Sequence, residues 1–284
     1  SFTSNATFTA DENQTAIGTA TATDPDGDDI TFSISGSEIN IDASSGILTF
    51  ASAPDYETKS SYTATITASD GNNSITQNIT VNINNLNDNS PSFTSNATFT
   101  ADENQTAIGQ VTATDPDGDD ITFSISGSEI NIDASSGILT FASAPDYETK
   151  SSYSATVTAS DGTNSITQNI TVNINNLNDN SPSFTSNTTF TADENQTAIG
   201  QVTATDPEED DITFSISGSE INIDASTGVL TFVSAPDYET KSSYTATITA
   251  SDGTNAAIQS IIITVNNLND NAPSFTSNTT FTAD

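Results

Sequence analysis

The sequence predicts an all-β chain of tandem immunoglobulin-like Greek-key β-sandwiches, stacked end to end. Three observations carry that reading. A polar run closed by proline, Asn85-Leu86-Asn87-Asp88-Asn89-Ser90-Pro91, recurs from Asn176 and, with Ala272 in place of Ser, from Asn267, 91 residues apart each time (176 − 85 and 267 − 176). Between these runs, short apolar/polar alternations are separated by Gly-, Pro-, Asp- and Ser-rich turns, and no stretch has a helical period. Thr, Val, Ile, Tyr and Phe dominate the alternating segments, which suits pleated sheet. Seven or so short strands in 91 residues fit a two-sheet sandwich. The expected modules are 1–91, 92–182 and 183–273, with 274–284 as the first strand of a further copy, because Ser274 to Asp284 repeats Ser183 to Asp193.

The elements of the first copy read in order. Phe8-Thr9-Ala10 is a short opening strand, and Ile17 to Thr23 is the next. Asp24-Pro25-Asp26-Gly27-Asp28 breaks the pattern with turn chemistry. Ile30, Phe32 and Ile34 then alternate with polar residues. Ile39 and Ile41 begin a hairpin that turns at Ser44-Ser45-Gly46 and returns through Ile47, Leu48 and Phe50. Tyr62, Ala64, Ile66 and Ala68 form a further alternating strand, and Ile75, Ile79, Val81 and Ile83 close the module. Phe32, Ile34, Ile41, Leu48, Phe50, Tyr62, Ile66, Ile79, Val81 and Ile83 are the expected core of this copy.

The first two copies differ only at Thr19/Gln110, Ala20/Val111, Thr63/Ser154, Ile66/Val157 and Asn72/Thr163. Near-identity of that kind marks a repeat array. The third copy departs further, with Asp206-Pro207-Glu208-Glu209 where the first has Asp24-Pro25-Asp26-Gly27.

Charge narrows the function. There are 38 acids against 3 bases, for a net charge of −35, with no His, Cys, Met or Trp. Such a chain repels nucleic acid and anionic membranes, which need cationic contacts. Without Cys there is neither a disulfide framework nor a thiolate metal site, and without His or Cys a zinc site has no customary ligands. No segment reads as membrane-spanning. The polar connectors offer Asn and Asp oxygens, which suit a hard cation. Asn5, Asn13 and Asn78 match the N-glycan acceptor pattern, which chance supplies readily in so Asn- and Thr-rich a chain. Thr19/Thr21/Thr23 and Thr63/Thr65/Thr67 read as β-formers on a wet face, and Lys59 as a surface charge.

The acids also keep fixed places: Glu12 in Ala-Asp-Glu-Asn, Asp24 and Asp26 in Asp-Pro-Asp, Asp55 and Glu57 in Asp-Tyr-Glu, Asp70 in Ala-Ser-Asp-Gly. Together with the connector and the hairpin Ile39-Asn40-Ile41-Asp42-Ala43-Ser44-Ser45-Gly46-Ile47-Leu48, this order resembles the cadherin repeat across all three copies. The resemblance implies Ca2+ held between successive modules. At the first junction Glu12, Asp55, Glu57, Asn85, Asn87, Asp88 and Asn89 would come from one module, and Asp115, Asp117 and Asp161 from the next. At the second, Glu103, Asp146, Glu148, Asn176, Asn178, Asp179 and Asn180 would meet Asp206, Glu208 and Asp252. A third half-site would hold Glu194, Asp237, Glu239, Asn267, Asn269, Asp270 and Asn271. Asp24, Asp26 and Asp70 would form a half-site at the other end.

Two departures from the family pattern stand out. The connector opens on Asn rather than Asp, and Glu208 replaces an Asp, so the second junction is expected to bind its ions more weakly. Asn among Asp and Glu suits Ca2+ better than Mg2+. Carboxylate pairs can also do acid–base chemistry, yet here they repeat with the modules and no cleft or long loop accompanies them, so no enzyme is expected. The resemblance implies an extracellular, calcium-stiffened spacer of a surface adhesin or filament. Its partners would be its own neighbouring repeats and like chains in a filament or on another cell. The near-identical, Cys-free copies look more prokaryotic than animal. The competing reading is a direct binding module whose sandwich faces recognise a like array, a glycan or ice.

Overall fold

A computed structural model describes residues 1–276. The expected opening strand at 274–284 falls mostly on 277–284, outside the described residues. The chain forms two compact units. Ser1–Ala101, Gln105–Ala144 and Ser152–Asn173 make one; Asp102–Asn104, Pro145–Ser151 and Ile174–Asp284 make the other.

All regular structure among the described residues is β. In the first copy the strands are β1 (Thr7–Asp11), β2 (Ala16–Thr19), β3 (Thr31–Ile34), β4 (Ile39–Ile41), β5 (Ile47–Phe50), β6 (Ser61–Ser69) and β7 (Ser74–Asn84). They make a four-stranded sheet in the order β1-β7-β6-β3 and a three-stranded sheet in the order β2-β5-β4. The corresponding strands of the other copies repeat both orders. Inward residues of both sheets meet in one core per copy: Phe32, Leu48, Phe50, Ile66, Ile79, Val81 and Ile83 are buried in the first. Ile34, Ile41 and Tyr62, expected inside, are only half-buried and pack on its rim. Ala10, Ala20, Ile39 and Ala68 join the buried set. Small residues carry little apolar signal, and two of these four sit where the strand alternation breaks or begins.

Two features depart from the sequence reading. The stretch from Ile17 to Thr23 is not one strand. β2 pairs with β5 through a register shift between Ala16 and Gly18, and Ala22 then bridges to Phe2 instead. In the second copy the same switch is a short pairing of Ala113–Thr114 with Ser92–Phe93. A bulge bends the strand so that its end leaves one sheet for another segment. The second departure is a parallel pair in an otherwise antiparallel sandwich. β1 runs parallel to β7, with Thr7 opposite Thr80 and Asp11 opposite Asn84. The third copy pairs Thr189–Asp193 with Ala256–Asn266 in the same sense. Because the two strands run the same way, the residues that follow them leave at the same end. That places Glu12 beside the connector.

The β4–β5 hairpin is capped by its own carboxylate. Asp42 Oδ1 accepts from the backbone and side chain of both Ser44 and Ser45. Those donors hold its carboxyl well below the usual range, with the Ser45 amide first. Lys59, expected as a surface charge, is partly exposed and grips Glu38 at 2.6 and 2.7 Å while lying 4.3 Å over the Tyr62 ring. Lys241 repeats this with Glu220 and Tyr244.

The hairpin glycine is a fixed requirement of the fold. Gly137 has φ 71°, and a Cβ there would lie 2.3 Å from the Val111 carbonyl oxygen. The same oxygen belongs to the residue whose amide donates to the Gly137 carbonyl at 2.9 Å. Gly137→Ala is therefore expected to cost about 2–4 kcal/mol, combining left-handed strain with a backbone clash. Urea unfolding would check it; a loss below about 1 kcal/mol would mean that the hairpin relaxes freely.

Candidate metal centre

Parallel pairing sets the first piece. Glu12, one residue beyond β1, is 2 % exposed. Its Oε2 accepts from the Tyr56 amide at 2.8 Å and its Oε1 from the Leu86 amide at 2.7 Å. One carboxylate thus ties the Asp55-Tyr56-Glu57 loop to the start of the connector. Glu103 does the same with Tyr147 and Leu177, both at 2.7 Å. Glu194 does it with Tyr238 and Leu268, at 2.8 and 2.6 Å. Charge-assisted bonds of this kind are strong, and they account for a buried carboxylate in a chain with so few cations.

Around Glu12 the acids gather. Glu12, Asp55 and Glu57 bring one oxygen each within 4.8 Å of one another, and so do Glu57, Asp88 and Asp117. The connector is laced to Asp117. The Asp88 and Asn89 amides donate to Asp117 Oδ2 at 3.0 and 2.9 Å, and Asn89 Nδ2 donates to Oδ1 at 2.9 Å. Asn85 Nδ2 donates to the Asp117 carbonyl at 2.8 Å. Asn87 Nδ2 reaches the Asp161 carbonyl at 3.4 Å. Asp115 Oδ1 accepts from the Asp117 amide at 3.0 Å. All ten residues expected at this junction therefore lie in one constellation.

The second junction, in the other unit, repeats the plan with a longer acid. Glu103, Asp146 and Glu148 cluster within 4.8 Å, as do Glu148, Asp179 and Glu208. Asn180 Nδ2 donates to Asp179 Oδ1 at 2.7 Å and to Glu208 Oε1 at 2.5 Å. The Glu208 amide donates to Asp206 Oδ1 at 3.1 Å. Asn178 accepts from Asn255 Nδ2 at 2.8 Å through Oδ1, and Asp252 Oδ1 accepts from the Asn255 amide at 2.6 Å. Asn176 is exposed beside this group. Where Asp117 holds two backbone amides on one oxygen, the corresponding Glu208 Oε2 is buried without a hydrogen-bond partner.

The end positions form half-constellations. Asp24, Asp26 and Asp70 line one open cleft. Asp70 Oδ1 accepts from the Asn72 and Asn73 amides at 2.8 and 2.6 Å. At the other end Asn267 Nδ2 donates to Glu239 at 3.2 Å, and Asn271 Nδ2 to Asp270 at 2.8 Å. Asp237 Oδ1 accepts from the Glu239 amide at 3.0 Å, and Asn269 is exposed.

Sequence reasoning missed three kinds of residue. Asn13, Asn104 and Asn195 have φ of 61°, 63° and 65°, the left-handed conformation that Asn tolerates. Asn13 Nδ2 donates to Asp88 Oδ2, and Asn195 Nδ2 to Asp270 Oδ2 at 2.6 Å. Asn164 Nδ2 donates to Asn87 Oδ1 and the Asn89 carbonyl at 3.1 and 2.9 Å. Asp119 joins Asp115 and Asp117 in a third cluster within 4.8 Å. The Asn after each Glu and the third acid of Asp-Pro-Asp-Gly-Asp were visible signals.

The electrostatics are those of a site short of positive charge. Glu57 is pushed above its usual range by desolvation first, then by the Glu12 and Asp117 charges. Glu148 is raised by desolvation, then by Glu103 and Glu208. Asp119 is raised by desolvation, then by Asp115, Asp117 and Asp161. In Asp117 desolvation is the largest influence and would raise it too, but the Asn89 side chain and the Asn89 and Asp88 amides outweigh it, and it is lowered. Among the described residues, the buried side-chain atoms without a hydrogen-bond partner include five carboxylate oxygens: Asp115 Oδ2, Asp161 Oδ2, Asp206 Oδ2, Glu208 Oε2 and Asp252 Oδ2. Every one belongs to a residue expected to bind a cation. A desolvated carboxylate oxygen without a donor is costly, and a hard divalent ion is the partner its chemistry suits. The donor set fits Ca2+: it is all oxygen, mixes carboxylates with amides, and clusters at the connectors.

Comparison with known proteins gives a consistent picture. A family model described as the cadherin domain matches residues 6–84 and 97–175, together more than half of the chain. Cadherin EGF LAG seven-pass G-type receptor 2 of Mus musculus is 33% identical over 221 residues, covering 69% of this chain and 8% of that protein. Protocadherin-15 of Homo sapiens is 32% identical over 288 residues, covering 89% of this chain and 15% of that protein. The chain thus spans less than a fifth of the length of either relative. Among solved structures, mouse Cadherin-23 EC22-24 superposes with a TM-score of 0.74 at 23% identity, covering 92% of this chain and 96% of that one, a likeness of fold. No helix among the described residues is long and apolar enough to cross a membrane.

Two substitutions probe the framework itself. Glu103→Ala removes the acceptor of two backbone amides and is expected to cost about 2–4 kcal/mol in chelator. Denaturant unfolding would measure it, and a cost near zero would mean that water replaces the carboxylate. Glu209 keeps φ 63° where the earlier copies have Gly27 and Gly118 at 83° and 80°. Glu209→Gly should stabilise the third copy by about 1 kcal/mol, the usual relief of a left-handed non-glycine residue. An unchanged or lowered stability in the same assay would refute that strain.

Proposed function

The chain belongs to the cadherin family, and from that premise we propose that its connectors are calcium clamps and that the array is a stiffened extracellular spacer. Cadherin repeats are modules of extracellular, cell-surface adhesion proteins. The finer reading divides the chain into modules 1–91, 92–182 and 183–273, each joined to the next through its Asn-rich connector.

One observation carries the calcium reading: the partnerless buried carboxylate oxygens fall on Asp115, Asp161, Asp206, Glu208 and Asp252. At the first junction Glu12, Asp55, Glu57, Asp88, Asp115, Asp117 and Asp161 would hold the ions, with carbonyl oxygens of Asn85, Asn87 and Asn89 beside them. At the second, Glu103, Asp146, Glu148, Asp179, Asp206, Glu208 and Asp252 would do so. Bound Ca2+ supplies positive charge where the acids otherwise repel one another. The chain's own part is to hold the oxygens in place. Glu12 fixes the loop and connector on one side, and the Asn164 amide fixes the connector on the other.

Pre-organisation separates the two junctions. Asp117 is held by the Asp88 and Asn89 amides and the Asn89 side chain, whereas Glu208 is held by the Asn180 side chain alone among the described contacts. A carboxylate ordered in advance loses less freedom on binding. The second junction should therefore fill at higher Ca2+.

Calorimetric titration and thermal melts of the full chain test both statements. Ca2+ at 100 times its dissociation constant should add about 2.7 kcal/mol per site, so millimolar Ca2+ and chelator should give clearly separated melts. Coincident melts would sink the calcium reading. Binding should show two phases, and Glu208→Asp should bring the weaker one towards the stronger. Two phases unmoved by that substitution would leave Glu208 without its assigned role.

A further inference from the structure

The third copy carries an apolar patch that the other two lack. Its last strand, Ala256–Asn266, places Ile258 and Ile262 on the outer face of the four-stranded sheet, 71 % and 48 % exposed. Ile262 lies between Thr189 and Thr245 in register; Ser260 faces Thr247, and Ile258 faces Thr249. The corresponding residues of the first copy are Thr76, Asn78 and Thr80, opposite Thr67, Thr65 and Thr63. There Thr65 Oγ1 donates to Asn78 Oδ1 at 2.8 Å, and the face is hydroxyl and amide throughout. Changing Thr to Ile on an outward position adds nothing to the core and removes a wetted group. Exposed apolar surface in one ordered row marks an interaction site.

The occupant follows from charge and area. The chain carries −35, and its acids gather at the connectors and turns. Two copies repel one another wherever those acids face. The register rows through Ile258, Ser260 and Ile262 contain no charged residue. A basic partner would be drawn to the acidic ends rather than to this face, whereas a second copy can approach only through a neutral one. The sheet's four strands hold 5, 11, 9 and 4 residues, and at about 3.3 Å by 4.8 Å per residue they give a face of about 460 Å2. Two such faces bury about 900 Å2, within the range of weak, transient associations. A single patch meeting its own copy pairs isologously about a two-fold axis, which would pass near Ser260.

We propose that the outer sheet face of the third repeat, centred on Ile258, Ser260 and Ile262, is a weak self-association surface for a second copy of this chain. The proposal stands apart from the calcium reading and is tested in both Ca2+ and chelator. Sedimentation equilibrium of the full chain should show a reversible monomer–dimer equilibrium at high micromolar concentration. The double substitution Ile258→Thr and Ile262→Thr restores residues that the first copy already folds with. It should weaken dimerisation at least ten-fold with an unchanged circular dichroism spectrum. The chain has no cysteine, so Ser260→Cys gives a clean second readout. Mild oxidation should cross-link Ser260→Cys far faster than Asn78→Cys, the matching change in the first copy. A chain that stays monomeric to millimolar concentration would overturn the proposal. So would a double variant that dimerises like the parent, or equal cross-linking of the two cysteine variants.

Discussion

Each connector depends on one buried carboxylate. Glu12, Glu103 and Glu194 are each 2 % exposed, and each accepts one amide from the Asp-Tyr-Glu loop and one from the connector. Burying an anion is unfavourable unless donors replace its water, and two backbone amides do so here. The arrangement also fixes geometry. A carboxylate that holds two loops together sets the separation of every acid those loops carry. Asp55, Glu57 and Asp88 are where they are because Glu12 pins the segments that present them.

That order comes with an electrostatic conflict. The same loops crowd acids within 4.8 Å of one another, and Glu57 and Glu148 respond with raised affinities for protons. Asparagine moderates the conflict in two ways. Its amide nitrogen donates to carboxylates, as Asn89 does to Asp117, Asp88 and Glu57. Its amide oxygen remains an acceptor that a hard cation can use. A connector rich in Asn rather than Asp can satisfy the acids without metal and still offer oxygens to it.

The sheets and the acid constellation were legible because both are periodic. Ile30 to Ile34 and Tyr62 to Ala68 show a two-residue alternation that any half-buried strand must show, and β3 and β6 lie there. The acids recur at one spacing in three copies, which isolates them from the background of surface charge. What was hidden depends on long-range partners. Nothing in Thr7–Asp11 says that its neighbour is β7 or that the pair is parallel. Ala20, 1 % exposed, looks like a filler residue within a strand, yet the chain leaves one sheet just after it. The particular partner of Lys59 was hidden because Glu38 lies 21 residues away in sequence and meets it only across the folded hairpin.

The parallel pair also sets how a repeat meets mechanical load. The chain enters β1 at Thr7 and leaves β7 at Asn84, and in parallel register those points lie at opposite ends of the pair. Tension applied through the chain therefore pulls the two strands past each other along their length. Their hydrogen bonds are stretched together in shear, rather than opened one at a time as in a hairpin pulled from its open end. Rupture then requires several bonds to fail at once, and the force is carried from strand to strand across the sheet while the hydrophobic core remains closed behind it.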